Sequence, residues 1–238
     1  MKSQESIAAR VASLQARSEA AARRAGRDAS DVTLVAVAKG VSASDISQAL
    51  QAGIRHVGES YVQEARAKMA AVREQALHGG FAEPRWHMIG RLQRNKAREI
   101  ARLFDCIESV DRSEIARTLD AAAGERVLEV LLQVNVSGET QKAGVDPEHI
   151  DALLAICAGL SHLRVSGLMA IPAASTTPEQ SRPAFARLRK LRDSLRRGPG
   201  GENLRELSMG MSNDFETAIE EGATRVRIGT ALFGARKT

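Results

Sequence analysis

The chain of 238 residues is 43% hydrophobic and 26% charged, the make-up of a water-soluble globular protein with enough apolar surface for a sizeable core. No apolar run approaches the length of a membrane span, and the amphipathic start MKSQESIAARVASLQARSEAAARRAGRD lacks the apolar block of a secretory signal. A net charge of +5 raises nucleic acid as a partner, but aromatic residues are only 3% of the chain and leave little for stacking on bases.

Taken in order, residues 1–28 read as an N-terminal helix docked on the rest of the chain. Short apolar runs then alternate with helical stretches. The expected strands are 32–38 (VTLVAVA), 54–59 (IRHVGE), 85–90 (RWHMIG), 105–110 (DCIESV), 129–135 (EVLLQVN), 164–171 (RVSGLMAI), 206–210 (ELSMG) and 225–229 (RVRIG). Helical patterns fill 42–53, 60–77, 92–104, 112–125, 147–160, 178–197 and 213–222. Several open with capping pairs such as Ser42–Asp45, Asp111–Glu114 and Asp146–Glu148. Eight strict strand–helix repeats predict one closed (β/α)8 TIM-type barrel spanning the whole chain, with the N-terminal helix as an addition. An open doubly wound sheet is the alternative, but KGVSASD stands where its GxGxxG turn belongs. The arginine-rich segments 91–102 and 182–197 carry apolar residues at helical spacing (Leu188, Leu191 and Leu195 in the second), so both read as solvated helix faces. Cys106 and Cys157 lie in apolar runs without metal-ligand spacing. They are expected to be buried thiols in a reducing cytoplasm, and no metal is expected.

The first strand is free of charge until Lys39, which shares a face with Val35 and Val37. In a barrel that face is the lumen, and the lysine emerges at the C-terminal mouth, where barrel active sites lie. There a desolvated amine can form an imine with an aldehyde; the alternative is a snorkelling lysine that ends a strand. The last two strands end in SMGMSND and RIGTALFG. Ser212, Gly229 and Thr230 at those turns form an anion cradle in the position where barrels hold phosphate, or else ordinary helix caps. Arg227 turns inward between Val226 and Ile228 and needs a partner. A carboxylate such as Glu59 or Asp214 would serve, as would the heteroaromatic nitrogen of a ligand.

VAVAKG, GESYVQEA, WHMIGRLQRNK, NVSGETQKAG, GLMAIP and LSMGMSNDFETAIEEGATRVRIGTALFG together resemble the YggS/PROSC family, the pyridoxal phosphate homeostasis proteins, from about residue 32 to 234. The resemblance implies the barrel of alanine racemase without its second domain. It implies that Lys39 holds pyridoxal 5′-phosphate (PLP) as an internal aldimine, that Ser212, Gly229 and Thr230 hold the phosphate, and that Arg227 faces the pyridine nitrogen. Met211, Ser60 and His87 are further candidates for contact with the cofactor. Apo PLP-dependent enzymes are candidate partners. The chain departs from the family pattern at Gly40 and Ser42, where a threonine and a proline are usual, and at Ser60, where the family carries an asparagine.

Racemase chemistry wants a second base opposite the lysine, which alanine racemases take from their second domain. This chain stops soon after the eighth strand, and Tyr61, its one tyrosine, is expected inside a helix. His87 is the other candidate base, or a satisfied structural histidine. A guanidinium at the pyridine nitrogen leaves that nitrogen unprotonated and the ring a weaker electron sink. The favoured expectation is thus a cytoplasmic PLP-binding protein without efficient turnover. The alternatives are a weak PLP-dependent amino-acid racemase and a sugar-phosphate barrel enzyme with a Schiff-base lysine.

Overall fold

Eight parallel strands close on themselves in sequence order: β1 (Thr33–Val37), β2 (His56–Glu59), β3 (Arg85–Met88), β4 (Cys106–Val110), β5 (Leu128–Gln133), β6 (Leu163–Met169), β7 (Glu206–Met211) and β8 (Arg225–Ile228), with β8 paired back to β1. The computed structural model describes residues 5–139, 141–173 and 175–235. Each strand falls within or beside the run expected for it. The apolar runs are β-branched or long aliphatic, and glycine or polar turns bound them.

The surrounding helices are α1 (Ile7–Arg24), α2 (Ala43–Gln51), α3 (Val62–Gly79), α4 (Ala97–Leu103), α5 (Ser113–Ala122), α6 (Ile150–Ala158), α7 (Arg182–Leu195), α8 (Phe215–Glu220) and α9 (Thr230–Phe233). One continuous core lies between the outer faces of the strands and this ring; Ala36, Val57, Ile107, Leu132 and Val226 meet Ile46, Ile100, Leu119, Phe185 and Ile219 there. A separate small cluster of Cys106, Leu131 and Met169 lies inside the barrel. Ile7, Val11, Leu14, Ser18 and Ala21 bury one stripe of α1, which packs on α8, α2 and α9 over the seam between the last and first strands. Residues 1–4 of the expected N-terminal helix lie outside the described residues.

Helix starts differ from expectation in detail. The Ser42 hydroxyl does cap α2, accepting from the Asp45 amide at 3.1 Å. Asp111 instead pairs with Arg112, and Asp146 precedes a 3-10 turn over Pro147–His149 without a side-chain cap. A 3-10 turn at Arg94–Lys96 delays α4. In α7 the apolar side is buried through Phe185, Leu188 and Leu195, but its arginines are not simply a solvated face: Arg182 and Arg189 reach Glu221 just past α8, and Arg192 is largely buried and donates to the Arg205 carbonyl. Among the described residues, no helix is long and apolar enough to cross a membrane.

Candidate functional site

Lys39 follows β1 by two residues and is half-buried rather than desolvated. Its Nζ lies 4.9 Å from the centre of the Tyr61 ring, a cation–π contact. Tyr61 is therefore not inside a helix. It precedes α3 in an extended conformation (φ −127°, ψ 122°), is 51% exposed, and turns its ring face to the lysine. Gly40, at φ +69°, turns the chain away from the strand in a conformation that favours glycine. Its amide donates to Glu64 at 3.2 Å. Lys68 of α3 pins the same turn, donating to the Ala38 carbonyl, to Glu59 at 2.8 Å and to Glu64 at 3.1 Å. Burial raises the Glu59 pKa against the pull of Lys68.

β7 bends near its end at Gly210 (φ +89°), where a Cβ would run into Ala218. Asp214 accepts the Met211 amide at 2.7 Å and is the residue flanking α8. Ser212 is thus no cap for α8. Its Oγ reaches across to β8 and accepts from the amides of Gly229 and Ala231, both at 3.2 Å. Two backbone N–H groups at the start of α9 thus converge on one serine hydroxyl. A Cβ at Gly229 would meet only Val37, at 3.6 Å, so the gap between the ends of β8 and β1 stays open for want of a side chain. Thr230 opens α9 and is exposed, and Met211 at the end of β7 is exposed as well.

Arg227 faces the lumen and is 3% exposed. Neither carboxylate expected for it binds it: Glu59 is taken by Lys68, and Asp214 by the Met211 amide. Arg227 Nη1 donates to Ser208 Oγ at 2.6 Å and Nη2 to the Ala170 carbonyl at 2.8 Å. Ser208 donates to Glu108, which also pairs with His87 Nδ1 at 2.6 Å; His87 Nε2 meets His56 Nδ1 at 2.9 Å. Both ring nitrogens of His87 are thereby engaged inside the barrel, leaving neither for a ligand. Arg225, two residues below Arg227, binds Glu129 at 2.6 Å and Glu206 at 3.2 Å.

Burial alone would raise the Glu108 carboxyl, but the His87 hydrogen bond and the cationic surroundings, Arg225 and Arg227 among them, hold it down at about 2. Glu129 is likewise at about 2: burial opposes ionisation and Arg225 outweighs it. Burial lowers the Arg227 pKa while Glu108 and Asp214 raise it, and the guanidinium remains a cation. Among the described residues, His87, Cys106 and Glu108 bring metal-ligating atoms within 4.8 Å of one another. Arg225 Nη1 lies 3.1 Å from the Cys106 sulfur, so a guanidinium stands where a cation would. Burial also pushes the Cys106 thiol far above its ordinary pKa, which keeps it protonated.

These groups set an expected pH profile. His56 is lowered from 6.5 to about 4, chiefly by burial, so between those values the unfolded chain takes up a proton that the folded one refuses, and stability falls as pH drops. From 4.5 towards 2, protonation of Glu108 and Glu129 in the unfolded chain removes stability again. Thermal unfolding followed from pH 7 to pH 3 checks this: His56→Gln should flatten the upper stage, and an unchanged slope there leaves His56 with no part in it.

β1 pairs with β8, setting Val35 beside Arg227, and β8 with β7, setting Met211 beside Arg227, so Lys39, Ser212, Gly229 and Arg227 belong to adjacent strands, the first three at their C-terminal ends. Ser60, half-buried, follows β2 beside Tyr61. Sequence reasoning passed over Lys68, Glu108, Ser208 and Arg225. Alternation in DCIESV, ELSMG and RVRIG does put Cys106 with Glu108, Ser208 with Gly210, and Arg225 with Arg227 on common faces, which is the signal available for them.

Fold and mouth together define a barrel of the alanine racemase type: the model of the alanine racemase N-terminal domain family matches residues 10–237. Alanine racemase from Corynebacterium glutamicum shares the fold at 16% identity with a TM-score of 0.61, over 96% of this chain and 62% of the racemase. A pyridoxal phosphate homeostasis protein of Pseudomonas aeruginosa is 47% identical over 97% of this chain and 96% of its own length. The structure of PipY from Synechococcus elongatus with PLP bound is 39% identical, with a TM-score of 0.79 over 96% of this chain and all of PipY (100%). The chain belongs to the family of pyridoxal phosphate homeostasis proteins.

Proposed function

We infer that this chain is a single PLP-binding barrel unit that holds the cofactor covalently and serves its homeostasis in the cytoplasm, without efficient turnover of amino acids. The observation that carries this reading is that three adjacent strands carry, at or near their C-terminal ends, an amine, a pair of backbone N–H groups gathered on Ser212 and a buried cationic donor. The donor set fits PLP. Lys39 offers the amine for its aldehyde, the amides of Gly229 and Ala231 with Ser212 and Thr230 suit a phosphate in the gap that Gly229 leaves open, and Arg227 offers N–H donors to the ring nitrogen. When bound, PLP supplies an aldehyde for amines and a conjugated ring that withdraws electrons.

Arg227 can only donate, so it favours a ring nitrogen without a proton and a weakened electron sink. Tyr61 beside Lys39 is the one feature that favours a weak racemase, but it presents its ring face rather than its hydroxyl. Tyr61 and Ile171, which follow β2 and β6, and Met211, which ends β7, are exposed large apolar side chains and suit contact between the mouth and apo PLP-dependent enzymes.

Ser212→Ala is expected to weaken PLP binding by about 1–3 kcal/mol, the range for a hydrogen bond to a charged group, without loss of the fold; unaltered affinity in a spectral titration assigns Ser212 a bracing role alone. The purified protein should bind PLP with a visible absorption band, yet racemise, decarboxylate or transaminate common amino acids more slowly than about 1 s⁻¹, the lower end for ordinary enzymes. A faster rate that Lys39→Ala abolishes overturns the non-enzymatic reading.

A further inference from the structure

The two lumen arginines are treated differently. Arg225 meets carboxylates directly: Glu129 at 2.6 Å, Glu206 at 3.2 Å and Glu108 at 3.7 Å. Arg227 touches Glu108 only through a serine. The Ser208 hydroxyl has one proton, and it goes to Glu108, an ionised carboxylate that can only accept. The lone pairs of Ser208 are then left for Arg227 Nη1. With Nη2 on the Ala170 carbonyl, both ends of the guanidinium fork are tethered and its plane is set, while no carboxylate neutralises it at contact distance among the described residues. All three side chains of this line are buried, Glu108 and Ser208 at 0% exposure and Arg227 at 3%. Such a line, running from β4 through β7 to β8, has no evident use in stability alone: a direct ion pair like that of Arg225 would compensate the charges with one residue fewer.

We propose that Glu108 and Ser208 are positioning residues for ligand recognition: the Glu108–Ser208 relay aims Arg227 and keeps its remaining N–H groups for the aromatic nitrogen of the bound cofactor. This rests on the PLP reading of the mouth. Glu108 polarises the hydroxyl, which makes Ser208 a stronger acceptor and steadies the guanidinium. It does so without drawing Arg227 down into an ion pair in the lumen.

The test uses two ligands, PLP and its carbocyclic analogue, which keeps the aldehyde, phenol and phosphate but carries C–H in place of the ring nitrogen. Affinities are read from absorbance titrations of the full-length protein and of Ser208→Ala, Ser208→Thr and Glu108→Gln. The wild type should prefer PLP. Ser208→Ala and Glu108→Gln should each reduce that preference about tenfold, the weight of one hydrogen bond, while affinity for the analogue changes little. Ser208→Thr, which keeps the hydroxyl, should retain the preference. An equal fall for both ligands, or a preference unchanged in Ser208→Ala, overturns the relay and leaves a merely structural network. Should Glu108→Gln fail to fold, the alanine and threonine variants at 208 decide alone. A wild type that binds both ligands equally overturns the relay while sparing the PLP reading; a wild type that binds neither overturns both.

Discussion

Borohydride reduction of the PLP-loaded protein is expected to fix a pyridoxyl group on Lys39 and on no other lysine. Lys39 follows β1 at its C-terminal end, between the Tyr61 ring and the turn that Glu64 and Lys68 brace. Lys96, in the 3-10 turn after β3, lies 4.0 Å from Glu99, and Lys142, beyond β5, is 2.9 Å from Glu139; both are engaged away from Ser212. Peptide mapping after reduction reads the result directly, and Lys39→Ala should abolish the covalent link altogether. Label on Lys96 or Lys142 would sink the assignment. The phosphate and ring contacts proposed for Ser212 and Arg227 should still let the alanine variant hold PLP weakly. Residual non-covalent binding in that variant therefore separates the role of the amine from that of the cradle.

The second large effect concerns Lys68. Its ammonium is the side-chain partner of the Glu59 carboxylate, whose side chain is 0% exposed; among the described residues the other carboxylate oxygen, Oε2, has no partner. Removing one member of a buried pair typically costs about 3–5 kcal/mol. Lys68→Met is expected near the lower end, about 3 kcal/mol, because Glu59, already raised by burial, relieves part of the strain by taking up a proton. It should also loosen the Gly40 turn and so weaken PLP binding. Denaturant unfolding measures the first effect and a spectral titration the second. Adding Glu59→Gln to Lys68→Met should restore much of the stability but not the braced turn. A single variant within about 0.5 kcal/mol of wild type, the range of ordinary surface substitutions, would remove Lys68 from the framework.

The barrel was legible in the sequence because its signal is local: each strand is a short apolar run closed by a turn, and each helix carries its own stripe. Lys39, Ser212 and Arg227 were legible for a related reason, since each ends or lines a strand whose alternation assigns its face. The partners of Arg227 were not. Ser208 and Glu108 are 100 residues apart, and no pattern within either strand says which of the polar lumen residues will meet. Glu59 shows the same limit from the other side. Its charge makes it a candidate partner for Arg227, yet alternation from Gly58, whose Cβ would touch Val35 at 3.1 Å in the lumen, turns Glu59 outward to α3. Tyr61 escapes the sequence because GESYVQEA reads as continuous helix, whereas the chain first turns across the mouth before Val62.

The seam between β1 and β8 has a consequence for biosynthesis. Lys39 leaves the ribosome early, with the first strand, while Ser212, Arg227 and Gly229 belong to the last two strands. Pairing such as Val35 with Arg227 joins segments at nearly the greatest separation the barrel contains, the kind of contact that forms late in folding. A nascent chain therefore presents Lys39 well before the strands that carry Ser212 and Arg227 exist to pair with its own. A ligand held by both strands would stabilise the closed barrel by an amount that grows with the logarithm of its free concentration, so closure of that seam is the folding step such a ligand would favour.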